Sequence, residues 1–220
     1  MEDMKRIVVV FSGGLDSTTL LYHLQASGHE VKALSVDYGQ RHSRELQAAA
    51  QICELAAVEH RIVDLSGLAS IFGDNALTQH STEIPAGEYE PSSMAITTVP
   101  NRNMILLAIA TGWAIACEFD AVAFGAHSGE YTPYPDCRPE FAAAMHSATR
   151  MCDDRAIEVL SPFVSWHKSD IVRRGHELGV PFELTWSCYA GGETHCGQCS
   201  TCRDRMKAFE QAGLTDPAPA

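Results

Sequence analysis

Basic side chains and long apolar runs are both scarce in this chain of 220 residues. It has 16 Lys and Arg against 28 Asp and Glu, which gives a formal net charge of -12 at pH 7. Because phosphate backbones are bound mainly by Lys and Arg, this balance argues against nucleic acid and favours a small ligand. The apolar run at residues 7–11 is too short for a signal-peptide core or a membrane span. We therefore expect a cytoplasmic protein with no membrane partner.

The chain also lacks internal repeats and coiled-coil heptads, and its composition is that of an ordinary globular protein. Apolar, β-branched runs alternate with segments of helical periodicity. Strands are predicted at 7–11, 31–36, 61–65, 120–125 and 157–160, and helices at 17–26, 43–57, 103–119 and 167–178. This alternation predicts an α/β fold with a doubly wound, mainly parallel sheet. We expect an α/β domain at 1–180 and a small C-terminal segment at 181–220.

The link between the first strand and the first helix is rich in glycine and hydroxyl groups, with the sequence S-G-G-L-D-S. Backbone amides at a helix N-terminus form an anion site, and adjacent glycines let a phosphate approach closely. The link lacks the Gly-Lys-Ser/Thr ending of the Walker loop and the G-x-G-x-x-G dinucleotide pattern. The residues predicted to bind a phosphate-bearing ligand are Phe11, Ser12, Gly13, Gly14, Leu15, Asp16, Ser17, Thr18 and Thr19.

Asp16 is an acidic residue within this predicted anion site. A carboxylate repels phosphate unless a divalent cation lies between them, so Asp16 is a candidate Mg²⁺ ligand. The alternative is an acid in the first helical turn that is stabilised by the helix dipole.

Four of the eight cysteines are closely spaced: Cys188, Cys196, Cys199 and Cys202 form C-x7-C-x2-C-x2-C. In a reducing compartment such a cluster predicts a metal site rather than disulfides. Four thiolates suit one tetrahedral zinc, and an iron–sulfur cluster is the alternative. Because protein ligands fill all four positions, we expect the metal to hold the C-terminal segment rather than to meet a substrate.

The S-G-G-x-D-S loop resembles that of the ATP pyrophosphatase superfamily, and three further segments resemble the 7-cyano-7-deazaguanine synthase family. They are D-Y-G-Q-R-H at 37–42, V-P-N-R-N at 99–103, and G-A-H at 125–127 followed by Y-P-D-C-R-P-E-F at 134–141. The resemblance covers residues 6–211 and implies an adenine nucleotide α-hydrolase-like fold. It also implies ATP, Mg²⁺ and a structural Zn²⁺ as cofactors, and a homodimer.

The activity that this resemblance implies is an ATP-dependent ligation. 7-Carboxy-7-deazaguanine and ammonia are converted to the nitrile, 7-cyano-7-deazaguanine, through an adenylated carboxylate and then an amide. No glutaminase module is visible, so free ammonia is the expected nitrogen source. Two alternatives are a tRNA-thiolating enzyme with the same loop and a zinc-bearing protein that binds ATP without turnover.

Residues at the carboxyl ends of strands are candidates for ligand binding in such a sheet. Asp37 and Gln40 are predicted to meet the ribose or base of ATP, with a turn and helix cap as the alternative. Arg102 can offer a planar fork to a phosphate or carboxylate, with an exposed first-turn cation as the alternative. Lys168 resembles a lysine that the family directs towards the ATP phosphates, with a solvated helix lysine as the alternative. The predicted catalytic residues are therefore Asp16, Arg102 and Lys168.

The segment at 134–141 is predicted to recognise the substrate through Tyr134, Asp136 and Arg138, although its prolines can serve only to stiffen a loop. His127 is expected to be a hydrogen-bonded structural histidine. Residues 73–98 lack periodicity and predict a long loop, which either closes over a ligand or is a surface excursion.

Overall fold

Five parallel strands form the centre of the fold in a computed structural model that describes residues 3–40, 44–72, 75–77, 84–87, 96–127 and 134–218. The strands are β1 (Arg6–Val10), β2 (Glu30–Asp37), β3 (Glu59–Asp64), β4 (Ala121–Ala123) and β5 (Glu158–Leu160). Their order is β3-β2-β1-β4-β5, and every neighbouring pair is parallel. The predicted doubly wound sheet is confirmed. The order reverses between β1 and β4, which is where ligands bind in sheets of this kind.

Within the described ranges, six α-helices cover the two faces of the sheet. They are α1 (Leu15–Ala26), α2 (Arg44–Leu55), α3 (Arg102–Ala116), α4 (Pro139–Thr149), α5 (Lys168–Glu177) and α6 (Ser200–Ala212). One core cluster joins α1, α2, α5 and α6 to the sheet, and a second joins α3 and α4 to its other face. In β1, Ile7 and Val9 belong to the first cluster and Val8 to the second, with no exposed surface on any of them. A continuous apolar run is what a strand covered on both faces requires.

Two differences from the predicted elements affect the site. Helix α1 begins at Leu15 rather than at residue 17, so Asp16 and Ser17 lie in its first turn. Helix α4 was not predicted. Its first residue is Pro139, and proline is tolerated there because the first helical amide has no partner within the helix. Most of the long loop predicted at 73–98 lies outside the described residues, but Ala86 forms an antiparallel bridge with Cys199.

Residues 181–220 are held together through the buried Arg205 of α6, which is 1% exposed. Its guanidinium donates two hydrogen bonds of 2.8 Å to the carboxylate of Asp216. It also donates to the Thr185 hydroxyl at 2.6 Å and to the Phe182 carbonyl at 2.9 Å. One side chain thus connects α6, the turn at 182–185 and the chain end. Within the described ranges, each helix is too short or too polar to cross a lipid bilayer.

Candidate active site

A cavity of about 460 Å³ lies at the carboxyl ends of β1, β2 and β4, where the strand order reverses. Its volume is within the range of roughly 300–1,000 Å³ that is usual for small-molecule sites. Most of the predicted site residues line it: Phe11, Ser12, Gly14, Leu15, Asp16, Ser17, Gln40, Arg102, Tyr134 and Lys168. The fold therefore brings residues from the phosphate loop, the third helix and the fifth helix to one place.

The phosphate loop, residues 12–14, is held tightly between α2 and the segment that precedes the cysteine cluster. Gly13 has φ +74°, and a Cβ there would lie 2.6 Å from the backbone nitrogen of Ala49 in α2. On the other side, the Trp186 amide donates a 3.0 Å hydrogen bond to the Gly13 carbonyl. Inside the loop, the amide of Gly14 donates to the Ser12 hydroxyl at 3.2 Å. Glycine at position 13 is thus required by both conformation and space.

Three residues of the predicted phosphate-binding set do not line the cavity: Gly13, Thr18 and Thr19. Thr18 and Thr19 have no exposed surface, because α1 begins at Leu15 and its second turn already packs into the core. Thr19 faces Gly175 of α5, where a Cβ would lie 2.8 Å from its hydroxyl. These two threonines belong to the helix packing.

Charged side chains gather at one end of the cavity, beside the phosphate loop. The Lys168 ammonium lies 2.7 Å from Asp204 Oδ2 and 3.6 Å from Asp16 Oδ2. Burial alone would lower the pKa of Lys168, but its attraction to Asp16 and Asp204 outweighs this and raises that pKa. Burial would likewise raise the pKa of Asp204, but Lys168 outweighs it and lowers that pKa. Lys168 and Asp204 are therefore both ionised at neutral pH.

Asp204 was missed by the sequence reasoning. It follows Cys202 by two residues and lies on α6, in a segment interpreted only as a metal-binding appendage. Trp186, Ser187, Tyr189 and Thr201 from the same segment also line the cavity. The sequence around Asp204 does not indicate a role in the cavity. Asp204 meets Lys168 only because α6 packs on α5, and this packing cannot be read from neighbouring residues.

His127 faces the carboxylate of Asp16, with 3.8 Å between Nε2 and Oδ2. Burial lowers the pKa of His127, so the ring is neutral at neutral pH. The second carboxylate oxygen of Asp16, Oδ1, is buried and accepts no hydrogen bond from the described part of the chain. A buried carboxylate oxygen without a donor is suited to a hard cation such as Mg²⁺, so the site fits the predicted ion.

A second polar group, formed by Tyr38, Glu45 and Arg102, lines another part of the cavity. Arg102 is the first residue of α3, and it donates a hydrogen bond to the Tyr38 hydroxyl. Burial by itself would lower the pKa of Arg102. Tyr38, Tyr189 and Glu45 outweigh this effect, so the pKa of Arg102 is raised. Burial raises the pKa of Glu45 to about 7, with Arg102 acting in the opposite direction. The sequence also did not predict Glu45 as a site residue. An acid in the first turn of a helix is common, because the helix dipole stabilises it.

The two predicted nucleotide contacts after β2 differ in their placement. Gln40 lines the cavity, although its side chain accepts from the Tyr38 amide at 2.9 Å and donates to the Val36 carbonyl at 3.3 Å. Asp37 does not line it. Its Oδ1 accepts a 2.9 Å hydrogen bond from the Gly39 amide, so Asp37 stabilises the turn, as the alternative interpretation expected.

Of the three predicted substrate residues, only Tyr134 lines the cavity. Asp136 instead supports the start of α3, where its backbone carbonyl accepts from the Asn103 amide group at 3.0 Å. Arg138 is exposed and immediately precedes α4. Between these two, the Cys137 side chain does reach the cavity, and burial raises its pKa to about 11. Asp136 lies within the short helical turn Pro135–Cys137, and Arg138 follows that turn directly.

The four clustered cysteines converge, and all four sulfur atoms lie within 4.8 Å of one another. Backbone amides point at the sulfurs: those of Ala190 and Cys196 donate to Cys188 Sγ at 3.3 and 3.4 Å, and that of Cys199 donates to Cys196 Sγ at 3.4 Å. Amide donors of this kind stabilise thiolates. The donor set fits one tetrahedral metal ion, and Cys199 directly precedes α6, so the cluster also anchors the helix that carries Asp204.

A parallel sheet with a glycine-rich anion loop at its switch point, and with a carboxylate and a lysine beside that loop, defines a nucleotide-binding α/β protein. The same fold occurs in the NMN synthetase of Francisella tularensis, which superposes with a TM-score of 0.54 at 16% identity and covers 96% of this chain and 79% of that one. That likeness concerns the fold alone.

Sequence comparison identifies the family. Residues 6–213 match the model described as queuosine biosynthesis protein QueC, and the chain belongs to this family. A relative from Pseudoalteromonas translucida is 46% identical over 213 residues, or 97% of each chain. One from Caldicellulosiruptor saccharolyticus is 48% identical over 212 residues, or 96% of this chain and 94% of the relative. Both relatives are named 7-cyano-7-deazaguanine synthase. The predicted family is confirmed.

Proposed function

We propose that this protein is an ATP-dependent ligase that converts 7-carboxy-7-deazaguanine and ammonia to 7-cyano-7-deazaguanine. The observation that carries the proposal is one cavity that contains the phosphate loop, Lys168 and Arg102 in a chain of the QueC family. A site that adenylates a carboxylate has to hold a polyphosphate and a second anion side by side. These residues supply positive groups and amides for both.

At the phosphate end, the amides at the start of α1 and the Ser12 and Ser17 hydroxyls bind the ATP phosphates. Lys168, held by Asp204, faces the same region and stabilises the charge that develops on the departing pyrophosphate. Asp16 would hold Mg²⁺ there. When bound, the ion neutralises phosphate charge.

At the other end, Arg102 and Tyr134 bind the deazaguanine substrate, with the Arg102 fork directed at its carboxylate. Asp37, Asp136 and Arg138 are left out of this proposal, because they do not line the cavity. The substrate carboxylate attacks the α phosphorus of ATP, pyrophosphate leaves, and ammonia then displaces AMP to form the amide. A second activation, on the amide oxygen, allows loss of AMP and yields the nitrile.

For the four cysteines we propose a structural zinc. The metal would hold the start of α6, and with it Asp204 and the wall formed by Trp186 and Tyr189. On this proposal residues 181–220 are a segment packed on the α/β domain that completes the site. A reducing compartment is required for four thiolates, which supports a cytoplasmic location. A homodimer remains a prediction.

Two other activities receive less support. A tRNA-thiolating enzyme needs a basic surface for RNA, whereas the formal net charge here is -12. A protein that binds ATP without turnover would not need an acceptor site, yet Arg102 and Tyr134 provide one beside the phosphate loop.

The test is incubation of the protein with ATP, Mg²⁺, ammonium and 7-carboxy-7-deazaguanine, followed by mass spectrometry of products and measurement of AMP. Nitrile and AMP are expected together. Lys168→Met should abolish AMP release, whereas Lys207→Met, an exposed lysine on α6, should leave it unchanged. Folded, metal-loaded protein that forms neither adenylate nor nitrile would overturn the assignment.

A further inference from the structure

Glu45 lies beside both the phosphate loop and Arg102. Its backbone carbonyl lies against the phosphate loop, since a Cβ on Gly13 would come within 2.7 Å of it. Its side chain lines the cavity together with Arg102 and Tyr38. On the proposed function, the acyl-adenylate forms where the phosphate loop and Arg102 meet, so Glu45 is next to the carbon that the nitrogen nucleophile attacks.

Among the described residues, the carboxylate of Glu45 makes no direct hydrogen bond or ion pair, although Arg102 attracts it from a distance. No side chain or backbone amide of the described residues donates a hydrogen bond to it, and no cation lies within ion-pair distance. The titratable groups that face it from neighbouring elements are Tyr38 at the end of β2 and Arg102 on α3. The phosphate loop also lies against Glu45, and there Glu45 meets Gly13, which has no titratable side chain. A cavity-facing carboxylate without a partner is available to a ligand.

The proposed chemistry demands a proton acceptor at this place. Ammonium is the main form of the nitrogen source at neutral pH, and it cannot attack until it has lost a proton. The other acids and bases of the cavity are poorly placed. Asp16 and Asp204 share the ammonium of Lys168, and His127 faces Asp16 at the phosphate end. Burial raises the pKa of the Cys137 thiol to about 11, so that group is not a base at neutral pH.

We propose that Glu45 is the catalytic residue that accepts the proton from ammonium in the amide-forming step, an inference that rests on the proposed function. An N–H bond of ammonium breaks and its proton moves to a carboxylate oxygen of Glu45. The freed electron pair of nitrogen forms the C–N bond to the acyl carbon. The C–O bond to the phosphate then breaks, its electron pair leaves with AMP, and a second nitrogen proton passes to water.

Electrostatics supports this role. Burial raises the pKa of Glu45 to about 7, and a base is most effective when its pKa lies near the working pH. Glu45 can therefore both take up a proton from ammonium and release it to solvent within one catalytic cycle.

The experiment compares wild type, Glu45→Gln and the matched control Glu54→Gln, an exposed glutamate on the same helix. Each is given ATP, Mg²⁺ and 7-carboxy-7-deazaguanine with either hydroxylamine or ammonium as nucleophile. Hydroxylamine is neutral near neutral pH, so it traps the acyl-adenylate as hydroxamate without a base. Thermal melting and metal content check that every variant is folded.

For E45Q we expect hydroxamate formation at the wild-type rate and amide formation from ammonium that is slower by about 100-fold near neutral pH. The defect should shrink as the pH rises and free ammonia becomes abundant. E54Q should match wild type with both nucleophiles. Equal loss of hydroxamate and amide would overturn the inference, because Glu45 would then act in binding or adenylation. A loss that does not vary with pH, or no loss, would overturn it as well. Failure of wild type itself to form hydroxamate would instead contradict the proposed function.

Discussion

Replacing the buried Arg205 by methionine tests how strongly the fold of the C-terminal segment depends on this one side chain. The change removes two hydrogen bonds to Asp216, one to the Thr185 hydroxyl and one to the Phe182 carbonyl, which still accepts from Thr185. Breaking a buried ion pair by removing one partner costs about 3–5 kcal/mol. Because 20% of the Asp216 side chain is exposed and can be solvated, we expect a destabilisation at the lower end of this range, about 3 kcal/mol.

In a protein of this size, 1 kcal/mol shifts the melting temperature by about 2–4 °C, so R205M should melt about 6–12 °C below wild type. Differential scanning calorimetry measures this shift. Affinity for ATP should fall as well, since α6 carries Asp204 into the cavity. Arg203→Met, an exposed arginine on the same helix, is the control and should melt within about 1 °C of wild type. A shift in R205M no larger than in the control would refute the stabilisation of the C-terminal segment by Arg205.

Three further predictions follow from single positions. Gly13→Ala should abolish AMP release, since the added Cβ meets a backbone nitrogen of α2 at 2.6 Å, whereas Gly28→Ala, also at positive φ but with nothing within 4 Å, should cost only about 1–2 kcal/mol of stability. Burial raises the pKa of Glu45 from 4.5 to about 7, so its stabilising contribution is complete below pH 4.5 and is lost as the pH rises through 7. Melting curves across this range should show wild type losing up to about 3 kcal/mol relative to E45Q, and a constant difference would contradict the raised pKa. Cys199→Ser should lose bound metal in elemental analysis and loosen α6, while the exposed Cys152→Ser should retain it.

The sheet could be predicted from the sequence because the patterns that indicate it involve residues that are close together in the chain. The run at Ile7, Val8 and Val9 is apolar at every position, as a strand covered on both faces must be. The glycine loop follows it directly, and alternating strands and helices restrict the connections to right-handed crossovers. Helix α4 was missed for an equally local reason. Helix α4 begins at Pro139. In a sequence, proline usually indicates a loop, although it is also favourable in the first turn of a helix.

The site was predictable only in part. Asp16, Arg102 and Lys168 all reach the cavity, since each lies next to a strand end or a helix start that the pattern locates. Asp136 and Arg138 do not, because tertiary packing decides which side chains around a short turn face the cavity, and a turn of three residues leaves no periodicity to detect.

By itself, the sequence determined the alternation of strands and helices, the anion loop and the cluster of four cysteines, because each depends on residues that are close together in the chain. Only the tertiary structure decided that Asp204 meets Lys168 and that Glu45 faces Arg102. Those contacts join residues that are distant in sequence. They exist because α6 packs on α5 and because α2 packs against Gly13, and no local pattern records such packing.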